Sequence, residues 1–259
     1  MRGRRPRDCA ATLGLVLAMG LGSCRLEAEG DVAPAPERVD LAAAESQVFS
    51  QHGEDGVIER IFEIIEPTRR FVVEFGAHDG IQNSNARNLI LNHGWDAFLI
   101  EGHPGRARKL ARNYADHPGV TTQHAWVFPG NIEILFEENR VPEDLDLLVI
   151  DIDSNDYYVW RAIQGFRPKA VMIESNVMFA PPRKMVIDFH PMNYWDGTWY
   201  HGASLQSYYE LAKKKGYELI HCMSYGPNAF FVDARYYDRF GISDNSPEAM
   251  FTMWKLSPE

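Results

Sequence analysis

A chain of 259 residues, 45% hydrophobic and 12% aromatic, carries enough apolar material for one substantial core. Its formal charge of −10, from 26 basic and 36 acidic residues, argues against nucleic acid as a partner. Three cysteines, Cys9, Cys24 and Cys222, supply no disulfide framework.

The chain opens with a basic head, Met1 to Arg7, continues with a short apolar run from Ala10 to Leu21, and reaches Leu21-Gly-Ser-Cys24. That run falls short of the ~20 apolar residues needed to span a bilayer, and a basic head with small residues before a cysteine is the plan of an export signal. Leu-Gly-Ser-Cys resembles the bacterial lipobox. The resemblance implies a signal at 1–23 and a lipid-acylated Cys24 that holds the protein to a membrane of the cell envelope, on its periplasmic or outer side. A mis-assigned start codon is the alternative, and it would leave the protein cytoplasmic. Losing residues 1–23 removes four Arg and one Asp, a charge of +3, and leaves −13. Residues 24–44 are acidic and Ala/Pro-containing without periodicity, which predicts a disordered tether before one α/β domain over 45–259.

The domain begins at Ser50-Gln-His-Gly-Glu-Asp55, and Val57, Ile58, Ile61, Phe62, Ile64 and Ile65 then recur at helical spacing until Pro67. Gln51, Glu54 and Asp55 either cap that helix or fold over the mouth of a site. Phe71 to Phe75 reads as a buried parallel strand feeding the turn Gly76-Ala-His-Asp-Gly80, whose glycines let the backbone approach a ligand. Asn83-Ser84-Asn85 adds cap chemistry for a following helix. His78 stands where the dinucleotide fingerprint needs its middle glycine, which disfavours a pyrophosphate site. The spacing of Glu74, Gly76 and Gly80 instead resembles the first motif of class I S-adenosylmethionine-dependent methyltransferases.

Trp95 to Glu101 predicts a second strand ending on a carboxylate suited to two ribose hydroxyls. Pro104 starts a basic helix through Arg106, Arg108, Lys109 and Arg112, either a solvated face or a phosphate site. A third strand fits Val120 to Val127, with Trp126 placed to flank an adenine ring or to pack in the core. Leu145 to Asp156 contains a buried strand that delivers Asp151, Asp153 and Asp156 to its carboxyl end.

Ser50-Gln-His-Gly-Glu-Asp55, Val72 to Gly80, Ser84-Asn85, Gly94-Trp95, Glu101, Ile150-Asp-Ile-Asp-Ser154 and Asn228 to Val232 together resemble the FkbM-like methyltransferases. Asp153-Ser154 stands where that family has Glu-Gly. The resemblance implies a Rossmann-like class I methyltransferase fold, a mostly parallel seven-stranded sheet with helices on both faces. It also implies S-adenosylmethionine as cofactor, held by Glu74, Gly76, Ala77, His78, Gly80, Glu101, Trp126 and Asp151. No resident metal is expected. The alternative is Mg²⁺ or Ca²⁺ on Asp151 and Asp153 with Glu174 or His190, since these are hard oxygen donors with no EF-hand spacing and no His-x-x-x-His pair.

Ala170 to Glu174 predicts a fifth strand. Val177 to Gly202, with Trp195, Trp199, Tyr200 and His201, is too long for a simple connection and predicts an ordered aromatic lid over a glycan or other amphipathic small molecule. A helix from Ser204 to Gly216 and a hairpin of Tyr217–Met223 with Ala229–Val232 complete the sheet, and residues after Asp233 read as a peripheral tail. The expected chemistry is methyl transfer to a hydroxyl of a glycan, lipid-linked sugar or secondary metabolite, with Asp151, Asp153 or Glu174 as base. A non-catalytic exported binding module, and a metal-dependent hydrolase built on Asp151, Asp153 and Asp156, are the other classes.

Overall fold

The computed structural model describes residues 37–191, 193 and 195–252. The expected signal, Cys24 and most of the expected tether lie outside the described residues. Four short, mainly apolar segments form β1 (Phe71–Phe75), β2 (Asp96–Glu101), β4 (Leu147–Ile150) and β5 (Ala170–Glu174), the more polar Val120–His124 forms β3, and β6 (Tyr217–Cys222) and β7 (Asn228–Asp233) follow. They make one sheet in the order β3-β2-β1-β4-β5-β7-β6. Pairing is parallel from β3 through β5, and β7 runs antiparallel to both β5 and β6. One reversed strand next to the edge of an otherwise parallel seven-stranded sheet is the Rossmann-like class I methyltransferase arrangement.

Adjacent strand residues point to opposite faces, yet Val72, Val73 and Phe75 of β1 and all four residues of β4 are buried, so both faces are covered. The cover comes from α1 (Glu54–Ile65), α2 (Arg87–His93), α3 (Pro104–Asn113), α4 (Ile132–Glu138), α5 (Asp156–Ala162), α6 (Leu205–Lys215) and the short α7 (Pro247–Met250). On α1, Val57, Ile58, Ile61, Phe62 and Ile65 turn inward, as their spacing demands. Gly216 ends α6 in the left-handed conformation at φ +78°. Below the sheet, Asp146 accepts backbone N–H bonds from Thr68, Arg69 and Arg70 at 2.7, 2.8 and 2.6 Å, which ties the entry to β1 to the entry to β4.

The structure corrects several expectations. The third strand stops at His124, so Trp126 lies in a loop. The α4 helix was not anticipated, although Ile132, Leu135 and Phe136 are buried at helical spacing. Residues after Asp233 do not form a peripheral tail: a 3-10 turn over Ala234–Phe240 and then α7 bury Phe240 and Met250 in the core. Ordered packing also begins before residue 45, because Leu41 is buried and Val39 N–H bonds Phe240 O at 3.0 Å. Asn83-Ser84-Asn85 precedes α2 without supplying its N-cap residue, although Ser84 Oγ accepts from Arg87 N–H at 3.2 Å. Among the described residues no helix is long and apolar enough to cross a membrane.

Candidate functional site

From β1 the chain winds out to β3 and then returns to place β4 on the other side of β1. The carboxyl ends of β1 and β4 therefore diverge, and ligands of open α/β sheets bind in such a crevice. A cavity of 510 Å³ opens there. Gly76, His78, Glu101, Trp126 and Asp151 line it, as do Asp153 and Glu174.

Gly76 is required by its surroundings. It sits at φ +71°, and a Cβ there would lie 1.8 Å from Asp151 O, so β1 and β4 touch backbone to backbone at the crevice. That close approach brings Asp151 to the floor of the cavity. Gly80 has a different role from the one expected: a Cβ would meet the Tyr114 ring at 2.4 Å and Leu110 at 2.6 Å, so this glycine serves packing under α3. Ala77 is buried and its N–H bonds Ile100 O. Glu74 is likewise turned inward, and its carboxylate accepts from Ser84 Oγ, Asn85 N–H and Ala86 N–H at 2.9, 2.8 and 3.4 Å. Burial raises the pKa of Glu74 and these bonds oppose the rise. Glu74, Ala77 and Gly80 thus shape the turn from behind and do not line the cavity.

At the tip of β2, Glu101 accepts His103 N–H on Oε1 at 2.6 Å and His78 N–H on Oε2 at 2.9 Å. Both bonds fix the carboxylate, and each oxygen keeps acceptor capacity for a hydroxyl on the cavity side. His78, at φ +51°, contributes its backbone to this arrangement. The Trp126 ring fills the space where a Cβ of Gly102 would sit, 3.0 Å from that position, and remains 45% exposed. Ala125 and Val127 flank it on the cavity wall. One end of the cavity is therefore a flat aromatic and apolar slot beside a fixed carboxylate.

The other end is acidic. Asp151 and Asp153 follow β4 and Glu174 ends β5, all three half-buried, and one carboxylate oxygen of each lies within 4.8 Å of the other two. Loss of water, then repulsion from Asp153, Asp156, Glu74 and Glu54, holds the Asp151 pKa well above the usual carboxylate range. Glu174 is raised well above that range for the same reasons, burial first and then Asp151 and Asp153. Asp156, grouped with them from the sequence, faces elsewhere: it accepts Ile152 N–H at 2.9 Å and Ser154 N–H at 2.8 Å and so locks the turn into α5. Burial lifts its pKa to about 6 against those bonds. A hydrolase centre that uses Asp156 is not what this turn builds.

At the mouth, Gln51 and Glu54 line the cavity, whereas Asp55 Oδ2 is taken by the N–H groups of Val48, Phe49 and Ser50. The long segment after β5 reaches the rim through Pro191, Asn193 and Trp195. It is tied down by Asn155 Nδ2 to His190 O at 2.9 Å and Tyr158 Oη to Ile187 O at 2.7 Å. Trp195 is 51% exposed, while Trp199 and Tyr200 face solvent more fully. Asn85, Asn228 and, from the basic helix α3, Arg106 also line the cavity. Asn228 was hidden because its signal is a register: it pairs with Glu174 across β5 and β7.

No protein-family profile matches the sequence, and no curated protein matches it. Among solved structures the chain is similar to the N-terminal domain of EvdMO1 with SAH and D-fucose, at 12% identity over 69% of this chain and 80% of that one, TM-score 0.44. It is also similar to an S-adenosylmethionine-dependent methyltransferase from Clostridium acetobutylicum ATCC 824, at 10% identity over 69% and 89% of the two chains, TM-score 0.40. A third similarity is to the CurJ carbon methyltransferase, at 11% identity over 69% and 52%, TM-score 0.45. The fold assignment rests on the strand order and the reversed β7.

Proposed function

We propose that the chain is an S-adenosylmethionine-dependent methyltransferase of FkbM-like type, acting on a hydroxyl of a glycan, a lipid-linked sugar or a secondary metabolite. One observation carries the reading: a single cavity at the β1/β4 crevice joins the Trp126 ring and the Glu101 carboxylate at one end to a cluster of carboxylates at the other. The donor set fits the cofactor. Glu101 offers fixed acceptors to ribose hydroxyls, Trp126 offers a ring face to adenine, and Asn85 carries a buried side-chain oxygen without a partner near the Gly76 turn. Gly76 keeps the floor open next to Asp151. When bound, the cofactor supplies a methyl group activated by the sulfonium positive charge.

The chain's own contribution is alignment and proton management. Holding an acceptor hydroxyl in attack geometry removes much of the entropic barrier. Asp151, Asp153 and Glu174 are the groups at hand to take its proton, and burial with mutual repulsion raises the proton affinity of Asp151 and Glu174. Trp195 at the rim offers an apolar face to the acceptor. The test is transfer of label from methyl-labelled cofactor to hydroxyl-bearing envelope glycans and lipids. Cofactor binding with no transfer to any acceptor class would support the non-catalytic module instead. Attachment to the cell envelope through Cys24 belongs to the same proposal, and unchanged membrane partition of Cys24→Ser would remove it.

A further inference from the structure

The acidic end of the cavity holds more negative charge than a proton acceptor needs. Asp151, Asp153 and Glu174 converge from two strand tips, with one carboxylate oxygen of each within 4.8 Å of the other two, and the buried Glu54 lines the same cavity. Asp153 itself is held at φ +56°, in the left-handed region that non-glycine residues rarely occupy.

An independent observation concerns Asn228. Its side chain is 6% exposed and lines the same cavity, and it stands beside Glu174 because the two residues are register partners across β5 and β7. Asn228 Nδ2 donates to Glu54 Oε1 at 2.7 Å, which directs Oδ1 away from Glu54. That oxygen is buried and accepts no hydrogen bond. A shielded amide oxygen beside a nest of carboxylates has no use for another anion, and a buried acceptor left without a donor or a cation is destabilising. A cation satisfies it and neutralises the carboxylates together.

From these observations we infer that Asp151, Asp153 and Glu174, together with Asn228 Oδ1, form a binding site for one hard divalent cation of the Mg²⁺ or Mn²⁺ class. The dimensions agree: oxygens bound to one such ion at about 2.0–2.6 Å lie no more than about 4–5 Å apart, and the three carboxylates converge within 4.8 Å. The donors are all oxygen, which selects Mg²⁺, Mn²⁺ or Ca²⁺ over softer metals. Four protein ligands leave coordination positions for water or for an oxygen of the acceptor. The catalytic consequence rests on the methyl-transfer reading. A cation there would lower the pKa of a bound hydroxyl, whose proton would pass to a carboxylate oxygen that the ion leaves free. Cation binding itself stands without that reading.

The experiment uses the full chain stripped with EDTA and titrated with Mn²⁺, with free Mn²⁺ followed by electron paramagnetic resonance. The expected result is one Mn²⁺ per chain, displaced by Mg²⁺, with affinity reduced at least tenfold in Asp153→Asn and in Glu174→Gln. The exposed-site control Glu138→Gln should bind as the parent does. Melting curves run in parallel show that each variant is folded, and Mn²⁺ should raise the Tm of the parent but not of the two site variants. Absence of saturable binding by the parent at millimolar Mn²⁺ overturns the site, as does binding that the two variants leave unchanged. Titration of the same samples with S-adenosylhomocysteine reports on the methyl-transfer reading separately. If the ligand binds while Mn²⁺ does not, only the cation site falls; if Mn²⁺ binds while the ligand does not, only the methyl-transfer reading falls.

Discussion

Replacing Gly76 with alanine tests how β1 and β4 create the site. A Cβ at this position would lie 1.8 Å from Asp151 O and 2.9 Å from its carbonyl carbon, whereas real Cβ atoms essentially never approach within 3.0 Å. One backbone must therefore retreat by at least 1.2 Å, since no flexible side chain is available to give way. The left-handed backbone adds about 1–2 kcal/mol for any residue bearing a Cβ, and forced overpacking adds about 1–3 kcal/mol. Gly76→Ala should thus lose about 2–5 kcal/mol, a large share of the 5–15 kcal/mol typical of a domain. At about 2–4 °C per kcal/mol, the Tm should fall by roughly 4–20 °C. Gly94→Ala is the internal control. Gly94 has φ +66° but nothing within 4 Å of its would-be Cβ, so it carries the backbone cost alone. Chemical denaturation of the two variants should separate them by about 1–3 kcal/mol, the clash alone. Equal destabilisation would refute the backbone-to-backbone contact and the argument that it positions Asp151.

Asp146→Ala should be among the most damaging substitutions in the domain. It removes the acceptor of the Thr68, Arg69 and Arg70 N–H groups and the counter-charge 3.4 Å from Lys169 Nζ, which keeps its bond to Glu66 O. A loss of at least ~3–5 kcal/mol is expected by denaturant titration, and a loss below ~1 kcal/mol would contradict the assigned role. Asp79 is held at a pKa of about 2, chiefly by the N–H of Gln82, with burial opposing and Ile81 N–H assisting. A depressed carboxylate stabilises the fold fully above its unfolded pKa of ~3.9 and loses that contribution as the pH falls toward about 2. Asp79→Asn should therefore flatten the pH dependence of stability across that window, and an unchanged slope would count against the hydrogen bonds.

Much of the fold was legible because its signals are local. The apolar runs at Phe71–Phe75, broken only by Glu74, and at Leu147–Ile150 read as buried parallel strands, and Gly216 marks the end of α6. The α4 helix has a weaker signal, since Ile132, Leu135 and Phe136 are its only buried apolar positions over seven residues. The packed C-terminal stretch was not legible, because Phe240 and Met250 are isolated apolar residues whose burial depends on what lies beneath them.

The site divides along the same line. Glu101, Asp151, Asp153 and Glu174 stand at strand tips, where the end of an apolar run announces them, and the structure brings all four to one cavity. Glu74, Ala77 and Gly80 belong to the same motif, yet strand alternation and the turn geometry point them into the protein. A motif's spacing does not say which of its residues faces the ligand. Asn228 becomes visible as a cavity residue only once β7 is laid antiparallel to β5.

The central claim, an S-adenosylmethionine site at the β1/β4 crevice, is tested most directly by calorimetric titration of the protein and of Trp126→Ala with S-adenosylhomocysteine. Trp126 is 45% exposed and rests on Gly102, so its truncation should leave the fold intact while removing the ring face offered to adenine. Stacking of a base on an aromatic ring is worth about 1–3 kcal/mol, so the variant should bind about 5- to 150-fold more weakly than a saturably binding parent. No binding by folded parent protein, or equal affinity in the variant, would contradict the account.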